Sequence, residues 1–384
     1  SVTENANKET RKLIRRSKRI NPNAFITLIG CYAQLKPEEL IDIKDVNLVL
    51  GTADKFDLLS HLDKIDTSGD IKSSIGGNIN DIKIFNPSFS NDDRTRSFLK
   101  VQDGCDYSCT FCTIPLARGR SRSSSINKTI NIAKDISRTN TKEIVLTGIN
   151  IGDFGKGTNE SFYDLIKQMD SQIDIERFRI SSIEPNLLND KIIEFCFQSK
   201  KFMPHFHIPL QSGSNKMLKS MKRRYTSQEY SDRLNKIKSL DQDACIGVDV
   251  IVGYPTESEE DFFETYNFLK NHDVSYLHVF TYSERENTKA IKLEPVVPYE
   301  ERARRSKILR ELSDQKRVNF YERSVGQIRP VLVEKSKNGI LFGYTDNYIK
   351  TRIQGHISLE NTIQNVFISE AKLGYVESEV VSIN

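Results

Sequence analysis

Between residues 97 and 282, short apolar runs alternate with longer amphipathic ones. SFLKVQ (97–102), EIVLTG (143–148), RFRISS (177–182), HFHIPL (205–210), CIGVDVIVG (245–253) and YLHVFTY (276–282) have the length and the β-branched or aromatic character of strands. Between them lie NKTINIAKDISR, SFYDLIKQM, LLNDKIIEFC, NKMLKSM with EYSDRLNKIKSL, and EEDFFETYNFLKNH, which read as helices. Six strands separated by helices predict an α/β fold: a parallel sheet of right-handed crossovers, either open or curled into a partial barrel.

The flanks pattern differently. Residues 1–66 combine a basic helical stretch with short strands in AFITLIG (24–30) and VNLVLG (46–51), as part of an α/β domain. Residues 67–96 are rich in Gly, Ser, Asn and Asp without an apolar period and read as a linker. The central domain spans 97–323 and ends in a charged helix from 299. Residues 324–384 hold short strands such as RPVLVEK (329–335) and ILFGYTD (340–346), a small β domain.

Composition narrows the classes. The chain has 384 residues, enough for two or three domains, and no run near the roughly 18–20 apolar residues of a membrane span. No export signal is visible, and six scattered or clustered cysteines fit a metal or redox site in a reducing compartment better than a disulfide framework. A cytoplasmic location is expected. The net charge is only +4, yet basic residues bunch in KETRKLIRRSKR (8–19), ARGRSR (117–122) and MKRR (221–224), which suits RNA and equally suits solvated helix faces.

Three of the six cysteines, Cys105, Cys109 and Cys112, fall within GCDYSCTFC directly after the first strand. Zinc commonly takes four ligands, and no fourth is close by. Three thiolates on one loop hold a four-iron cluster while leaving one iron free of protein ligands. Cys196 and Cys245 read as buried structural thiols. CDYSCTFC resembles the signature of radical S-adenosylmethionine (SAM) enzymes. In that family the open iron binds SAM, electron transfer cleaves it to a 5′-deoxyadenosyl radical, and the aromatic place filled here by Phe111 lies near the adenine.

The carboxyl ends of parallel strands collect chemistry, and here they read TGIN (147–150), SSIEP (181–185), LQSGS (210–214), VGYPTES (252–258) and TYSE (281–284). By the resemblance, Thr147, Gly148 and Asn150 match the motif at the methionyl amino group. Ser182 and Glu184 approach the ribose or methionyl end, Gln211 joins the polar lining, Arg224 steadies the SAM carboxylate or the substrate, and Gly253 belongs to the strand flanking the adenine. His205 and His207 share one face of a strand, read as polar lining or hydrogen-bonded packing rather than metal ligation.

Longer matches, VQDGCDYSCTFCTIPLARGRSRS, EIVLTGINIGDFG, RISSIEP, HIPLQSGSNKMLKSMKRRYT, DVIVGYPTESEEDF and HVFTYSERENTKA, resemble the radical SAM methylthiotransferases, which replace C–H by C–SCH₃. The resemblance implies a partial (β/α)6 barrel with a C-terminal β-barrel of the TRAM type, and two [4Fe–4S] clusters in a full-length protein. It also implies the tRNA anticodon arm as partner, a reducing electron donor and a sulfur source. The expected reaction is methylthiolation of C2 of N6-threonylcarbamoyladenosine at position 37 of tRNA. Isopentenyladenosine 37 and ribosomal protein S12 are the alternatives within the family, and an inactive RNA-binding protein is the alternative outside it. The second cluster uses three N-terminal cysteines in the family, of which this chain has only Cys31, in GCYAQ. The opening SVTENANKETRK resembles the stretch after the second of them, so the expectation is a chain lacking an N-terminal segment, able to hold the SAM cluster but not to complete sulfur insertion.

Overall fold

The computed structural model describes residues 4–63, 73–79, 82, 84–90, 95–336 and 339–381. The chain forms two compact units interleaved in sequence. One comprises Ser1–Ile84, Gly104–Arg122 and Ser283–Lys292, and the other Phe85–Asp103, Ser123–Tyr282 and Leu293–Asn384.

In the first unit, helix α1 (Glu4–Ile20) precedes a parallel three-stranded sheet of β1 (Thr27–Ile29), β2 (Leu48–Leu50) and β3 (Ser73–Ile75). Short helices α2 (Cys31–Leu35), α3 (Pro37–Ile41), α4 (Leu58–Asp63) and α5 (Ile114–Arg118) complete it. Ile14, Tyr32, Leu40, Val46 and Val49 form its small core. Strand β3 lies inside the stretch that composition reads as linker. Its three residues carry one apolar side chain, Ile75, too little to show a period, and the strand is defined by pairing with β2. Other parts of that stretch lie outside the described residues.

In the second unit, six strands run parallel: β5 (Arg96–Lys100), β8 (Glu143–Thr147), β9 (Arg177–Ile180), β10 (His205–Gln211), β11 (Cys245–Val252) and β12 (Tyr276–Thr281). The two-residue strand β4 (Ser88–Phe89) runs antiparallel on the outer edge of β5, and β6 (Gln102–Asp103) and β7 (Arg122–Ser123) are equally short. Sheet order follows chain order, and β9 is joined to β10 through two isolated parallel bridges, Phe178 with Phe202 and Ser182 with His207. With no reversal of strand order the sheet curls. Side chains from all six strands line one cavity of about 400 Å³. This is the partial (β/α)6 barrel.

The crossovers are α6 (Ile126–Ser137), α7 (Phe162–Gln172), α8 (Asp190–Gln198), α9 (Asn215–Ser220) with α10 (Ser227–Leu240), and α11 (Glu259–Asn271). Side-chain caps start all of these but α9, at Ser125, Ser161, Asn189, Thr226 and Ser258, the last two as capping boxes. The strand period of two sorts the residues. Leu99, Ile144, Leu146, Phe178, Phe206, Ile208, Val248 and Leu277 pack outward into the helices. Arg96, Val145, Arg179, His205, Cys245 and Tyr276 line the cavity on the other face.

Helix α12 (Tyr299–Glu322) leads to a closed five-stranded barrel, TRAM-like, of β13 (Ile328–Val333), β14 (Leu341–Thr345), β15 (Lys350–Gln354), β16 (Ile363–Lys372) and β17 (Tyr375–Val380). Buried arginines at the amino ends of the sheet bind its backbone. Arg177 donates to the carbonyls of Tyr344 (3.2 Å) and Pro330 (2.9 Å), and Arg179 to that of Asp346 (3.2 Å).

Candidate functional site

Within the first unit, Cys105, Cys109 and Cys112 sit on an irregular loop, all partly exposed. The loop is closed at its base by the Cys105 amide donating to Gly119 O (3.0 Å). Gly104, at φ +72°, permits this closure, since a Cβ there would lie 2.0 Å from Arg120 O. The Tyr107 and Ile114 amides donate to the sulfurs of Cys105 and Cys112, each at 3.4 Å. Backbone N–H groups aimed at sulfur stabilise thiolates and the clusters they hold. Phe111 is half-buried on the same loop. Cys31, the first residue of α2, accepts a hydrogen bond from Arg118 Nε at 3.0 Å, and Arg118 ends the helix that follows the loop. The structure thus brings Cys31 beside the segment carrying the triplet.

Within the second unit, the strand tips hold the remaining candidates. Thr147 ends β8, and the turn after it is cradled by Gln102, whose Oε1 accepts from the amides of Ile149 (2.9 Å) and Asn150 (2.8 Å). At Gly148 a Cβ would come 2.7 Å from Ile151 and 3.0 Å from Gln102 Oε1, so backbone is exposed where a side chain does not fit. Asn150 is 2% exposed. Its amide donates to Asp153, while its Oδ1 has no hydrogen-bond partner among the described residues. An orphaned buried acceptor calls for a donor from a ligand or water.

Ser182 bridges to β10, and Glu184 forms an ion pair with Arg223, whose Nε donates to Tyr225 Oη at 3.0 Å. Tyr225 Oη in turn reaches the carbonyls of Pro209 and Leu210, both at 2.8 Å, beside Gln211. Gln211 stands at φ +66°, with the pairing register of β10 and β11 shifting just before it. Arg224 is exposed. Lys222, at φ +56°, re-aims the chain after α9, so its neighbour Arg223 is the arginine that meets Glu184. Gly253 follows β11, and its amide donates to Glu257 Oε2 at 2.7 Å.

Sequence reading passed over Gln102, Arg223 and Tyr225. Gln102 closes the run SFLKVQ, so its place at a strand end was the available signal. Nothing in MKRR announces the left-handed turn that selects Arg223.

Deeper in the barrel, Glu143 and Arg179 form a buried bidentate ion pair (3.0 and 3.1 Å). Burial pushes the Glu143 carboxyl up, but the guanidiniums of Arg179, Arg96 and Arg177 overcome it and hold it below its ordinary value. Burial also lowers Arg177 to about 10. His205 is kept neutral: burial, with the Arg179 charge added, drives it well below an ordinary imidazole. Cys196 and Cys245 are buried thiols, and burial pushes Cys245 up to about 12, so neither offers a thiolate.

A thiol-bearing loop and a parallel barrel with a polar mouth define a radical SAM enzyme. Comparison with known proteins agrees: the family model described as the radical SAM superfamily matches residues 99–269, and the one described as uncharacterized protein family UPF0004 matches 1–51. A threonylcarbamoyladenosine tRNA methylthiotransferase of Bacillus subtilis is 39% identical, covering 100% of this chain and 87% of its own length. One from Aquifex aeolicus is 39% identical over 93% and 86% of the two chains, and a tRNA-2-methylthio-N6-dimethylallyladenosine synthase of Endomicrobium trichonymphae is 30% identical over 96% and 85%. Among solved structures, the cobalamin-dependent enzyme OxsB with SAM bound is 18% identical with a TM-score of 0.49, covering 75% of this chain and 44% of that one. The fold class rests on the strand order and the family match.

The chain belongs to the radical SAM methylthiotransferases, enzymes that work with iron–sulfur clusters and SAM. Its residues fit those cofactors, with three soft ligands on one loop, a glycine cradle at Gly148 and an orphaned acceptor at Asn150.

Proposed function

We propose that the protein methylthiolates C2 of N6-threonylcarbamoyladenosine at position 37 of tRNA. One observation carries the choice of substrate: identity is 39% along the whole chain to the B. subtilis threonylcarbamoyladenosine enzyme, against 30–31% for the relatives named for dimethylallyladenosine. On this reading Cys105, Cys109 and Cys112 hold the SAM cluster, and Cys31 is a ligand of the auxiliary one. Bound SAM and clusters supply the radical that removes the C2 hydrogen and the methylthio group that replaces it.

The protein's own residues bind and orient. Asn150 Oδ1 accepts from the methionyl ammonium, the Gly148 backbone lets SAM approach closely, and Thr147 and Gln211 line the mouth. Ser182 and Glu184 face the ribose or methionyl end, with Glu184 held by Arg223. By the family resemblance Phe111 and the strand leading to Gly253 are assigned to the adenine, and Arg224 to the SAM carboxylate or the substrate. The anticodon arm meets basic side chains, among them exposed Arg15, Arg16 and Arg120, and the TRAM-like barrel, mainly through phosphates. The reaction further needs a reducing electron donor and a sulfur source, in the cytoplasm. Among the described residues no helix is long and apolar enough to cross a membrane.

The test is deletion of the gene in its host followed by mass spectrometry of tRNA nucleosides. Loss of the methylthio derivative of threonylcarbamoyladenosine, with its precursor accumulating, is expected. Loss of methylthio-isopentenyladenosine instead would move the substrate to the other branch. No change in either would overturn the tRNA reading.

A further inference from the structure

Three adjacent strands of the barrel bring together side chains to which the proposed function gives no role. Asp249 on β11 stands opposite His278 on β12 in the parallel register. His207 approaches the same carboxylate from β10. Asp249 Oδ1 lies 2.8 Å from His207 Nε2 and 3.2 Å from His278 Nδ1. The three donor atoms all fall within 4.8 Å of one another. The two imidazole rings meet edge to face, with centroids 5.1 Å apart.

We propose that His207, Asp249 and His278 form a binding site for one divalent transition-metal ion. Two imidazoles and a carboxylate are an N,N,O donor set suited to zinc or ferrous iron, and three protein ligands leave coordination positions open. In a tetrahedral site with bonds of roughly 2.0–2.1 Å the donors stand about 3.3 Å apart; the two distances to Asp249, 2.8 and 3.2 Å, lie within a few tenths of an ångström of that, and the two imidazoles, within 4.8 Å of each other, close on the ion by side-chain rotation. The ligands stand on three neighbouring paired strands, which hold such a geometry better than loops do.

The surroundings supply a second observation. His207 and His278 line the cavity of about 400 Å³, and so do Ser181 and His205. Ser181 Oγ and His205 Nδ1 are buried there with no hydrogen-bond partner among the described residues. His205 is 6% exposed, its Nε2 is held by Tyr276 Oη at 3.0 Å, and its ring stacks on Tyr348 at 4.4 Å. Two unpaired polar atoms in a cavity of this size call for ordered water, and water on the open positions of an ion would supply it. The sequence showed only His207, in HFHIPL. Its partners lie 42 and 71 positions further on and meet it only through the strand register.

None of the three residues belongs to the cysteine loop, and the proposal does not depend on which nucleoside the enzyme modifies. The probe is zinc. Full-length protein with its clusters reconstituted under anaerobic conditions is given one equivalent of zinc sulfate and desalted, then examined by metal analysis and by X-ray absorption at the zinc edge. About one zinc per chain is expected, in a nitrogen and oxygen shell with imidazole scattering. Affinity should fall at least tenfold in His278→Ala and in Asp249→Asn, with iron and sulfide content unchanged. His278 is half exposed, so its substitution leaves the fold standing. Zinc that washes off the unaltered protein, a shell of sulfur alone, or retention untouched by both substitutions would overturn the proposal and leave the three residues as a hydrogen-bonded group only.

Discussion

Arg223 meets Glu184 in an ion pair at the carboxyl ends of the strands, and both side chains are largely withdrawn from water, 4% and 15% exposed. Through Tyr225 the same arginine is tied to the carbonyls of Pro209 and Leu210. One guanidinium thereby couples the tips of β9 and β10. Arg223→Ala removes the one ion-pair partner of Glu184 among the described residues and costs about 3 kcal/mol, the scale for a buried pair losing one member. SAM affinity, read by equilibrium dialysis on the reconstituted protein, should fall at least tenfold. Arg224→Ala, one residue on and exposed, should change SAM affinity less than threefold. Equal effects of the two substitutions would mean that the ion pair does not organise the pocket.

Gly148 makes a second, steric prediction. An alanine Cβ would press on Ile151 at 2.7 Å and on Gln102 Oε1 at 3.0 Å, the acceptor that fixes the turn. Overpacking of this kind costs about 1–3 kcal/mol. Gly148→Ala should lower the urea midpoint by a corresponding amount and weaken SAM binding, while iron content stays unchanged because the cysteine loop is untouched. Unaltered SAM binding would remove the turn from the cofactor's site.

The six strands, the helices between them and the cysteine triplet were legible because each depends on local pattern: period two, helical spacing, and three thiols within eight positions. What escaped depends on where the chain goes in space. Strand β3 has one apolar residue and exists through its pairing with β2. Arg223 is selected over Arg224 by one left-handed residue, Lys222. His278 and Asp249 join His207 through register, and the arginines beneath the barrel find acceptors on residues more than 150 positions away. Sequence spacing carries no sign of such meetings.

The cysteines divide into two physical classes. Cys105, Cys109 and Cys112 are partly exposed on a loop, and two of them receive backbone N–H groups. Cys196 is buried, and burial pushes its thiol far above the ordinary range, so it stays protonated and is a poor ligand. Replacing any one of the triplet by alanine should abolish the broad absorption near the blue that an iron–sulfur cluster gives, together with the iron and sulfide belonging to one cluster. Cys196→Ala should keep both and cost roughly 1 kcal/mol through the small cavity it leaves. Iron loss in Cys196→Ala that exceeds its loss of folded protein would break this division.

The buried Glu143–Arg179 pair contributes to the acid sensitivity of the fold. The Glu143 carboxyl is fully buried, and burial alone would raise its pKa, but Arg179, Arg96 and Arg177 bring it below the ordinary value. An unfolded glutamate titrates at roughly 4.3. Because the folded value is lower, the unfolded chain binds the proton first as pH falls, so stability is fully present above about 4.3 and drains away as pH drops toward the folded pKa. The urea midpoint of the unaltered protein should therefore decline from pH 5 to pH 3. Glu143→Gln leaves the arginines without their buried counter-charge and should cost about 3–5 kcal/mol at pH 7. It should also flatten the part of the acid decline that belongs to this carboxyl, narrowing its gap to the unaltered protein as pH falls. A gap that stays constant from pH 7 to pH 3 would show that Glu143 does not titrate with folding, and that the docking of the TRAM-like barrel on Arg177 and Arg179 is independent of its charge.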